Sequence, residues 1–474
     1  PMYNPHDTGM AVFNEEGELE FYCQLERLTR KKHDDRHLSL LLEEFPSAPR
    51  PQAGDIVGYG TSASRKPNRP TSVGAIGCLD FDWDWMSGSF EHRGVTMLCV
   101  DHHIAHACAA WCFRTDESER TFLSYDGGGL DEHRLYHHST KGIISADKLE
   151  VTAFDTIPSS NPLGRPFGIF NVGKLMGLAG SRPNAKIFSD PDNLLELIGQ
   201  GKRFTDHQLD LCAGYYRYHI EKIWEAVEQE LVGSQGVVIA GGATLALEIN
   251  SRIHRKTQGD VVFGPSTDDS GIALGNAAYA YFKTTGQWPK RLLSASINRS
   301  MRTHKPSSSL KQIAKLLSEG RICGIVRNDS EAGPRALGYR SLLASAETTE
   351  MKTRVSEHIK GRESYRPLAP IVTDKEFDRL FVGPRGKFMQ YSVQCTDECK
   401  EIVPAIVHTD NTSRPQVVDA SDPWLYDLLI EYGKLTGTEC LINTSLNTDG
   451  RPIANDLVDA QYDFRQHPVQ IFGV

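Results

Sequence analysis

The chain reads as an α/β protein, and three recurrences predict it. Short apolar runs end in glycine-rich turns at "TFLSYDGGG" and "GVVIAGGATLALEIN". Helical periodicity fills stretches between them, as in "CAGYYRYHIEKIWEAVEQELVG". A buried run, "GVTMLCV", leads directly into "DHHIAHACAAW". Strand and helix patterns that alternate in this way build a sheet flanked by helices, with ligands gathered where strands end.

In chain order, "GMAVFNEEGELEFYCQLE" predicts a hairpin about the turn "NEEG". "GVTMLCV" predicts a buried strand, and the residues after it a helix that starts near Asp101. "TFLSYDGGG" predicts a strand that stops at its glycines. The stretch from Cys212 predicts a helix ended by Gly233, and "GVVIAGG" a strand, a Gly241–Gly242 turn and a helix start. "TTGQWPKRLLSASINRSMRTHKPSSS" is rich in Ser, Arg and Lys and poor in apolar periodicity, so it predicts a boundary. "LKQIAKLLSEGRICGIV" then opens a new helix–strand unit. The predicted organisation is one domain over residues 1–290 and a second over 305–474, with no internal repeat.

Bulk properties set limits. A chain of 474 residues suits about two to four domains. Lys plus Arg number 52 against 61 Asp plus Glu, a net charge of −9, which argues against a nucleic-acid polymer or an anionic membrane as partner. No apolar run has the length of a membrane span. "PMYNPHDTG" lacks the basic, apolar, small-residue order of a signal peptide, and Pro1 reads as a protease-cleavage scar before Met2. The expected compartment is the cytoplasm. The 10 cysteines include no Cys-x-x-Cys pair, and reduced thiols are expected rather than a cysteine zinc site.

The candidate chemistry starts at "DHHIAHA". His102 and His106 stand four apart and share one face of a helix, a spacing that suits two imidazoles on one divalent ion. His103 is turned about 100° away. The competing reading is a packed helix end carrying partly exposed histidines. Asp126 in "YDGGG" and Asp268 and Asp269 in "STDDSG" add carboxylates in turns, where solvated aspartates are also common. The glycines at 127, 128, 241 and 242 let backbone amides approach an anion. "GIFNVGKL" mimics a phosphate loop, but Leu175 stands where Ser or Thr would meet magnesium. Farther on, "EAGPRALGYRS" holds Arg335 and Arg340, and "GRESYRPLAP" with the preceding Lys360 holds Arg362 and Arg366. "LINTSLNTDGRPI" brings Asn443, Thr444, Ser445 and Asn447 to a strand end. Fixed cations beside a hydroxyl/amide turn suit a triphosphate; charged surface loops are the plain alternative.

The stretches "HHIAHA", "YDGGG", "KLMGLA", "AGGATLALEIN", "STDDSGIALGNA", "EAGPRALGYRS", "GRESYRPLAP" and "LINTSLNTDGRPI" follow one another over nearly the whole chain. In that order they resemble the O-carbamoyltransferase family of nodulation-factor and antibiotic tailoring enzymes. The resemblance implies an actin/hexokinase-type (ASKHA) first domain like that of threonylcarbamoyl transferases and a YrdC-like α/β second domain. It implies that carbamoyl phosphate and ATP, with Mg2+, yield carbamoyl-adenylate in the second domain. The carbamoyl group then passes to a hydroxyl of a small molecule in the first, helped by a divalent metal (Fe2+ foremost, Zn2+ or Mn2+ as alternatives). By the same resemblance His102, His106, Asp126 and Asp269 are the metal ligands. Gly127, Gly128, Gly241, Gly242 and Lys174 line the transfer site. Arg335, Lys360, Arg362, Arg366, Arg414, Asn443, Thr444, Ser445 and Asn447 bind ATP and carbamoyl phosphate. His6, with Asp7, is the candidate general base. The acceptor, a sugar, a natural product or a hydroxymethyl nucleotide, stays open, as does the oligomeric state, a homodimer included. A related enzyme acting on protein or tRNA, and a non-catalytic or ATPase actin-like protein, are the alternative functions. The second of these leaves the basic loops of the second domain unexplained.

Overall fold

The computed structural model describes residues 8–32, 34, 38–60, 89–92, 94–130, 136–158, 172–189, 204–234, 236–302, 308–448 and 450–474. It opens with the predicted hairpin, β1 (Gly9–Phe13) and β2 (Leu19–Gln24), which runs into the short helix α1 (Leu25–Thr29). At its turn Gly17 has a φ of 75°, a conformation that favours glycine. A second short helix, α2 (Leu38–Glu44), covers the hairpin's outer face through Leu41 and Leu42.

Two sheets carry the rest of the first half. β3 (Ile56–Gly60), β4 (Ser89–His92) and β5 (Val95–Val100) form one in the order β3-β5-β4. β5 hands the chain to α3 (His102–Trp111), whose N-cap Asp101 accepts a hydrogen bond from Ile104 N at 2.8 Å. The second sheet comprises β6 (Arg120–Leu130), β7 (Tyr136–Ile144), β8 (Leu149–Phe154), β9 (Val237–Ala240) and β10 (Val261–Val262), in the order β10-β9-β6-β7-β8. Helices α4 (Val172–Ser181), α5 (Asp206–Glu230), α6 (Leu247–Lys256) and α7 (Ile272–Thr285) accompany these strands. A capping box between Thr205 and Gln208 starts α5.

The expectation that β6 stops at its glycines is corrected. The strand continues to Leu130, and its pairing with β7 slips between Tyr125 and Gly129. A bulge therefore lies at 126–128, where the strand is re-aimed rather than ended.

The second half is built on a six-stranded mixed sheet. Its elements are β11 (Ser296–Asn298), α8 (Leu310–Ser318), β12 (Ile322–Val326), β13 (Ser330–Glu331), β14 (Arg340–Ser345), β15 (Ala369–Thr373), β16 (Phe381–Val382), β17 (Val393–Cys395), β18 (Thr412–Ser413), β19 (Gln416–Val418), α9 (Pro423–Thr436), β20 (Cys440–Ser445), α10 (Leu457–Phe464) and β21 (Val469–Gly473). The large sheet has the order β19-β15-β20-β14-β12-β21, and β16, β17 and β18 form a small one beside it. Between β14 and β15 the chain makes a π-helical turn over Arg354–Ile359, which delivers Lys360.

The stretch predicted as a boundary is more than a bare linker. β11 lies in it and pairs with β13, and Trp288 stacks on Phe282 with ring centroids 4.2 Å apart. One buried apolar cluster also joins Leu123, Leu178 and Ile239 of the first half to Leu342, Val355 and Phe377 of the second. Ser, Arg and Lys hid this order, because the segment contributes only isolated apolar anchors. No helix among the described residues is long and apolar enough to cross a membrane.

Close helix contact positions α3. A Cβ on Gly275 of α7 would stand 1.8 Å from Ala105 O. Gly275→Ala must push the two helices apart, so it should lower stability by about 1–3 kcal/mol in urea unfolding. A change below about 0.5 kcal/mol, the range of neutral surface substitutions, would contradict this packing.

Candidate functional site

α3, β6 and the turn before α7 bring four side chains together. His102, His106, Asp126 and Asp269 each offer one donor atom, and these atoms lie within 4.8 Å of one another. His106 Nε2 is 3.0 Å from Asp126 Oδ2 and 3.3 Å from Asp269 Oδ1. His102 Nε2 is 3.5 Å from Asp269 Oδ1 and 3.2 Å from His106 Nε2. The histidines come from successive turns of α3, as their spacing predicts. Asp126 comes from the β6 bulge, and Asp269 opens a 3₁₀ turn, Asp269–Gly271. Two imidazole nitrogens and two carboxylate oxygens form a donor set that fits a borderline divalent ion such as Fe2+, Zn2+ or Mn2+.

The glycine turn after β9 serves this group directly. Gly242 N donates to Asp126 Oδ2 at 2.9 Å, so that amide fixes a carboxylate of the cluster. Gly241 has a φ of 92°, and a Cβ there would meet Tyr125 O at 2.2 Å. Only glycine lets the turn approach the bulge this closely. Gly127 and Gly128 lie in the bulge itself. His103 stands outside the four-residue group. It is fully buried, its ring sits edge-on to His102, and neither ring nitrogen has a hydrogen-bond partner.

The second-half cations fall into two kinds. Arg340 is buried and spent on structure: it donates to the carbonyls of Asn455, Arg327, Tyr339 and Asn328. Arg335, Arg362, Arg366 and Arg414 gather instead. Burial, and then the charges of Arg335, Arg362 and Arg366, hold the Arg414 guanidinium well below its ordinary pKa, and Arg414 Nε has no hydrogen-bond partner. Burial lowers the pKa of Arg335, and it feels both the opposing charge of Asp268, the residue before Asp269, and the like charge of Arg366. Guanidinium groups held this close destabilise one another unless an anion joins them.

Burial, and then the charges of Arg362 and Arg366, hold the Lys360 ammonium well below its ordinary pKa. Lys360 is buried, and its ammonium donates to Ser445 O at 2.6 Å, to Asn447 O at 2.5 Å and to Asn447 Oδ1. Ser445 Oγ donates in turn to Asn447 Oδ1 at 2.7 Å. Lys360 thus holds the hydroxyl/amide turn in shape. Asn443 is buried in β20 and donates to Ala336 O at 3.0 Å and Gln416 Oε1 at 2.8 Å, and Thr444 is buried beside it. Lys174, on α4, pairs with Glu363 at 2.8 Å and so touches the loop that carries Arg362 and Arg366. His6 and Asp7 lie outside the described residues.

Sequence reasoning missed the residues that hold these loops. Glu331 is fully buried, and its Oε1 accepts from Leu337 N at 2.7 Å and Arg340 N at 3.3 Å, which winds the Arg335 loop around it. His408 Nε2 bonds Tyr365 O at 3.1 Å, and its Nδ1 bonds Asp410 Oδ1 at 3.1 Å. That pair braces the Arg366 loop. A buried polar residue inside a loop leaves no periodic mark in a sequence.

The electrostatics of the four-residue group give a pH dependence. Burial opposes charge on His106, but hydrogen bonds and charge from Asp126 and Asp269 outweigh it and push its pKa up from 6.5 to about 9. Burial likewise opposes charge on Asp126, yet His102 and His106 hold it well below 3.8. In the ion-free protein the His106 charge stabilises the fold fully below pH 6.5. That stabilisation is lost as pH rises through about 9. A metal needs neutral imidazole, so its uptake must expel this proton. Calorimetric titration with Zn2+ at pH 7 in buffers of different ionisation enthalpy should show close to one proton released per ion, falling away above about pH 9. Uptake without proton release at pH 7 would contradict a protonated His106 in the ion-free protein.

Residues 314–474 match the family model described as "Carbamoyltransferase C-terminus". The chain is 26% identical over 424 residues to Nodulation protein NolNO of Sinorhizobium fredii, covering 77% of this chain and 61% of that protein. It is 31% identical over 311 residues to Nodulation protein U of Azorhizobium caulinodans, covering 60% of this chain and 55% of that protein. The chain thus spans little more than half the length of these curated relatives. Among solved structures, full-length HypF in its phosphate- and nucleotide-bound form covers 34% of this chain and is itself covered to 20%, at 19% identity and a TM-score of 0.24. The activator of the 2-hydroxyisocaproyl-CoA dehydratase from Clostridium difficile with bound ADPNP covers 58% of this chain and is covered to 95%, at 14% identity and a TM-score of 0.32. Scores of that size carry no argument about the fold or the chemistry. The sequence relatives and the matched region do: residues 314–474 are similar to the C-terminal part of carbamoyltransferases, and the relatives that match the chain are nodulation proteins, in line with the resemblance its motifs carry.

Proposed function

We propose that the chain is an ATP-dependent O-carbamoyltransferase. In a YrdC-like second domain, residues 305–474, water cleaves carbamoyl phosphate to carbamate and inorganic phosphate, and the carbamate oxygen displaces pyrophosphate from the α-phosphorus of ATP to give carbamoyl-adenylate. The chain then transfers the carbamoyl group to a small-molecule hydroxyl in an actin/hexokinase-type first domain, residues 1–290. The observation that carries this reading is that Arg335, Arg362 and Arg366 all act by charge on Arg414, while Arg335 also feels the charge of Asp268, next to Asp269 of the four-residue group. Such an excess of fixed cations suits the phosphates of two anionic substrates, which a charged surface loop has no need to gather.

Each residue then has a task. The four arginines bind and orient the phosphates, and the Ser445–Asn447 turn, held by Lys360, meets the nucleotide. His102, His106, Asp126 and Asp269 would hold a divalent ion, Fe2+ foremost. Bound there, the ion supplies Lewis-acid stabilisation of phosphate charge while AMP departs. Mg2+ accompanies ATP. His6, beside Asp7, takes the proton of the acceptor hydroxyl, because a neutral alcohol is a weak nucleophile. The buried cluster that joins the two halves favours a water-poor route for a hydrolysable intermediate. The acceptor is a small hydroxyl compound, and the cytoplasm, where both substrates occur, is the compartment that fits.

Pyrophosphate release from ATP tests the first step. It should depend strictly on carbamoyl phosphate, and carbamoyl gain on a hydroxyl acceptor should follow in mass spectra. ATP turnover that is indifferent to carbamoyl phosphate would sink this reading.

A further inference from the structure

The metal group and the arginine cluster are held from one side by the same N-terminal hairpin. Tyr22, on β2, is fully buried and donates from its hydroxyl to Ser270 O at 2.6 Å. Ser270 lies inside the 3₁₀ turn that begins with Asp269. Five residues later Arg27 of α1, also buried, donates from Nη2 to Gly333 O at 2.7 Å. Gly333 stands two residues before Arg335. Its φ is 86°, and a Cβ on it would meet Pro265 O at 2.1 Å. The arginine loop therefore lies backbone to backbone on the segment that leads into Asp268 and Asp269.

The hairpin is also tied to β11 and, through Asn298, to the start of the arginine loop. Arg299 N donates to Tyr22 O at 2.8 Å, and Gln24 N donates to Asn298 Oδ1 at 2.9 Å. Asn298 Nδ2 donates to Ser330 Oγ at 2.8 Å, which fixes β13 at the start of the arginine loop. The two ends of the clamp thus share one support.

We infer that Tyr22 and Arg27 are positioning residues: Tyr22 fixes the turn that presents Asp269, and Arg27 fixes the loop that presents Arg335, so the hairpin sets the spacing of the two sites. This inference rests on the proposed function of the four-residue group as a metal site. Without the Tyr22 hydroxyl, Ser270 O loses its donor inside a buried turn, and the turn relaxes away from the geometry that aims Asp269. Zinc affinity reads that geometry without any turnover.

The test is Zn2+ titration of the whole chain against a chelating dye. Tyr22→Phe should bind Zn2+ roughly ten- to a hundredfold more weakly, the usual effect of losing a group that orients a ligand. Tyr281→Phe is the control: it deletes a hydroxyl bonded to Glu15 O at 3.0 Å near the hairpin turn and should leave the affinity unchanged. A merely structural role for Tyr22 would lower the ion-free melting temperature and leave Zn2+ affinity alone, and that result overturns the inference. If the unsubstituted chain itself bound no Zn2+, the metal reading would fall, a failure distinct from the first. Arg27→Lys tests the other end, since it keeps a buried cation but shortens its reach to Gly333 O: it should weaken binding of inorganic phosphate several-fold, and it stands in for Tyr22→Phe should that variant not melt cooperatively. Phosphate affinity unchanged in that variant also overturns the clamp.

Discussion

The backbone contact between Gly333 and Pro265 is the constraint on which the site depends. No side chain separates the two strands of polypeptide there, so the arginine loop and the aspartate turn cannot be spaced independently. Any residue other than glycine would meet a carbonyl oxygen at less than van der Waals distance and would also need a φ that L side chains rarely adopt. The GPRALG stretch therefore carries Gly333 for a packing reason, and two residues on, Arg335 comes within range of the Asp268 charge.

Two charge imbalances face each other across that contact. On one side two carboxylates and two imidazoles share a small volume, and a proton on His106 is the means by which the ion-free group balances itself. On the other, burial and the charges of Arg335, Arg362 and Arg366 hold the partly exposed Arg414 guanidinium well below its ordinary pKa. Buried charges of like sign are costly unless a partner offsets them. A divalent cation on the first side and phosphate on the second would offset both. The Arg340 and Lys360 cations are held by backbone carbonyls and the Ser445–Asn447 turn, and Arg366 pairs with Glu363 at 3.6 Å.

Part of this arrangement is legible in the sequence, and the rest is hidden for physical reasons. Two histidines four apart after a buried strand define a helical face locally, so α3 follows from spacing. Asp126 and Asp269 cannot be joined to that face by spacing, since β6 and the turn before α7 meet it only through long-range packing; motif resemblance supplies them. Glycines usually end strands, which places the end of β6 at Gly127, whereas a bulge carries it to Leu130. Lys360 groups with Arg362 and Arg366 by closeness in sequence, and their charges do act on it, but its bonds to the Ser445–Asn447 turn follow from a π-helical turn that spacing does not reveal. Tyr22, Arg27, Glu331 and His408 act by holding loops, and an isolated buried polar residue has no pattern to betray it.

Anomalous diffraction at the zinc edge, from crystals grown with Zn2+, tests the metal site most directly. A single peak is expected about 2.0–2.2 Å from His102 Nε2, His106 Nε2, one oxygen of Asp126 and one oxygen of Asp269, with His103 outside the coordination sphere. A peak bonded to His103, or zinc held elsewhere while the four side chains keep their mutual hydrogen bonds, would contradict it.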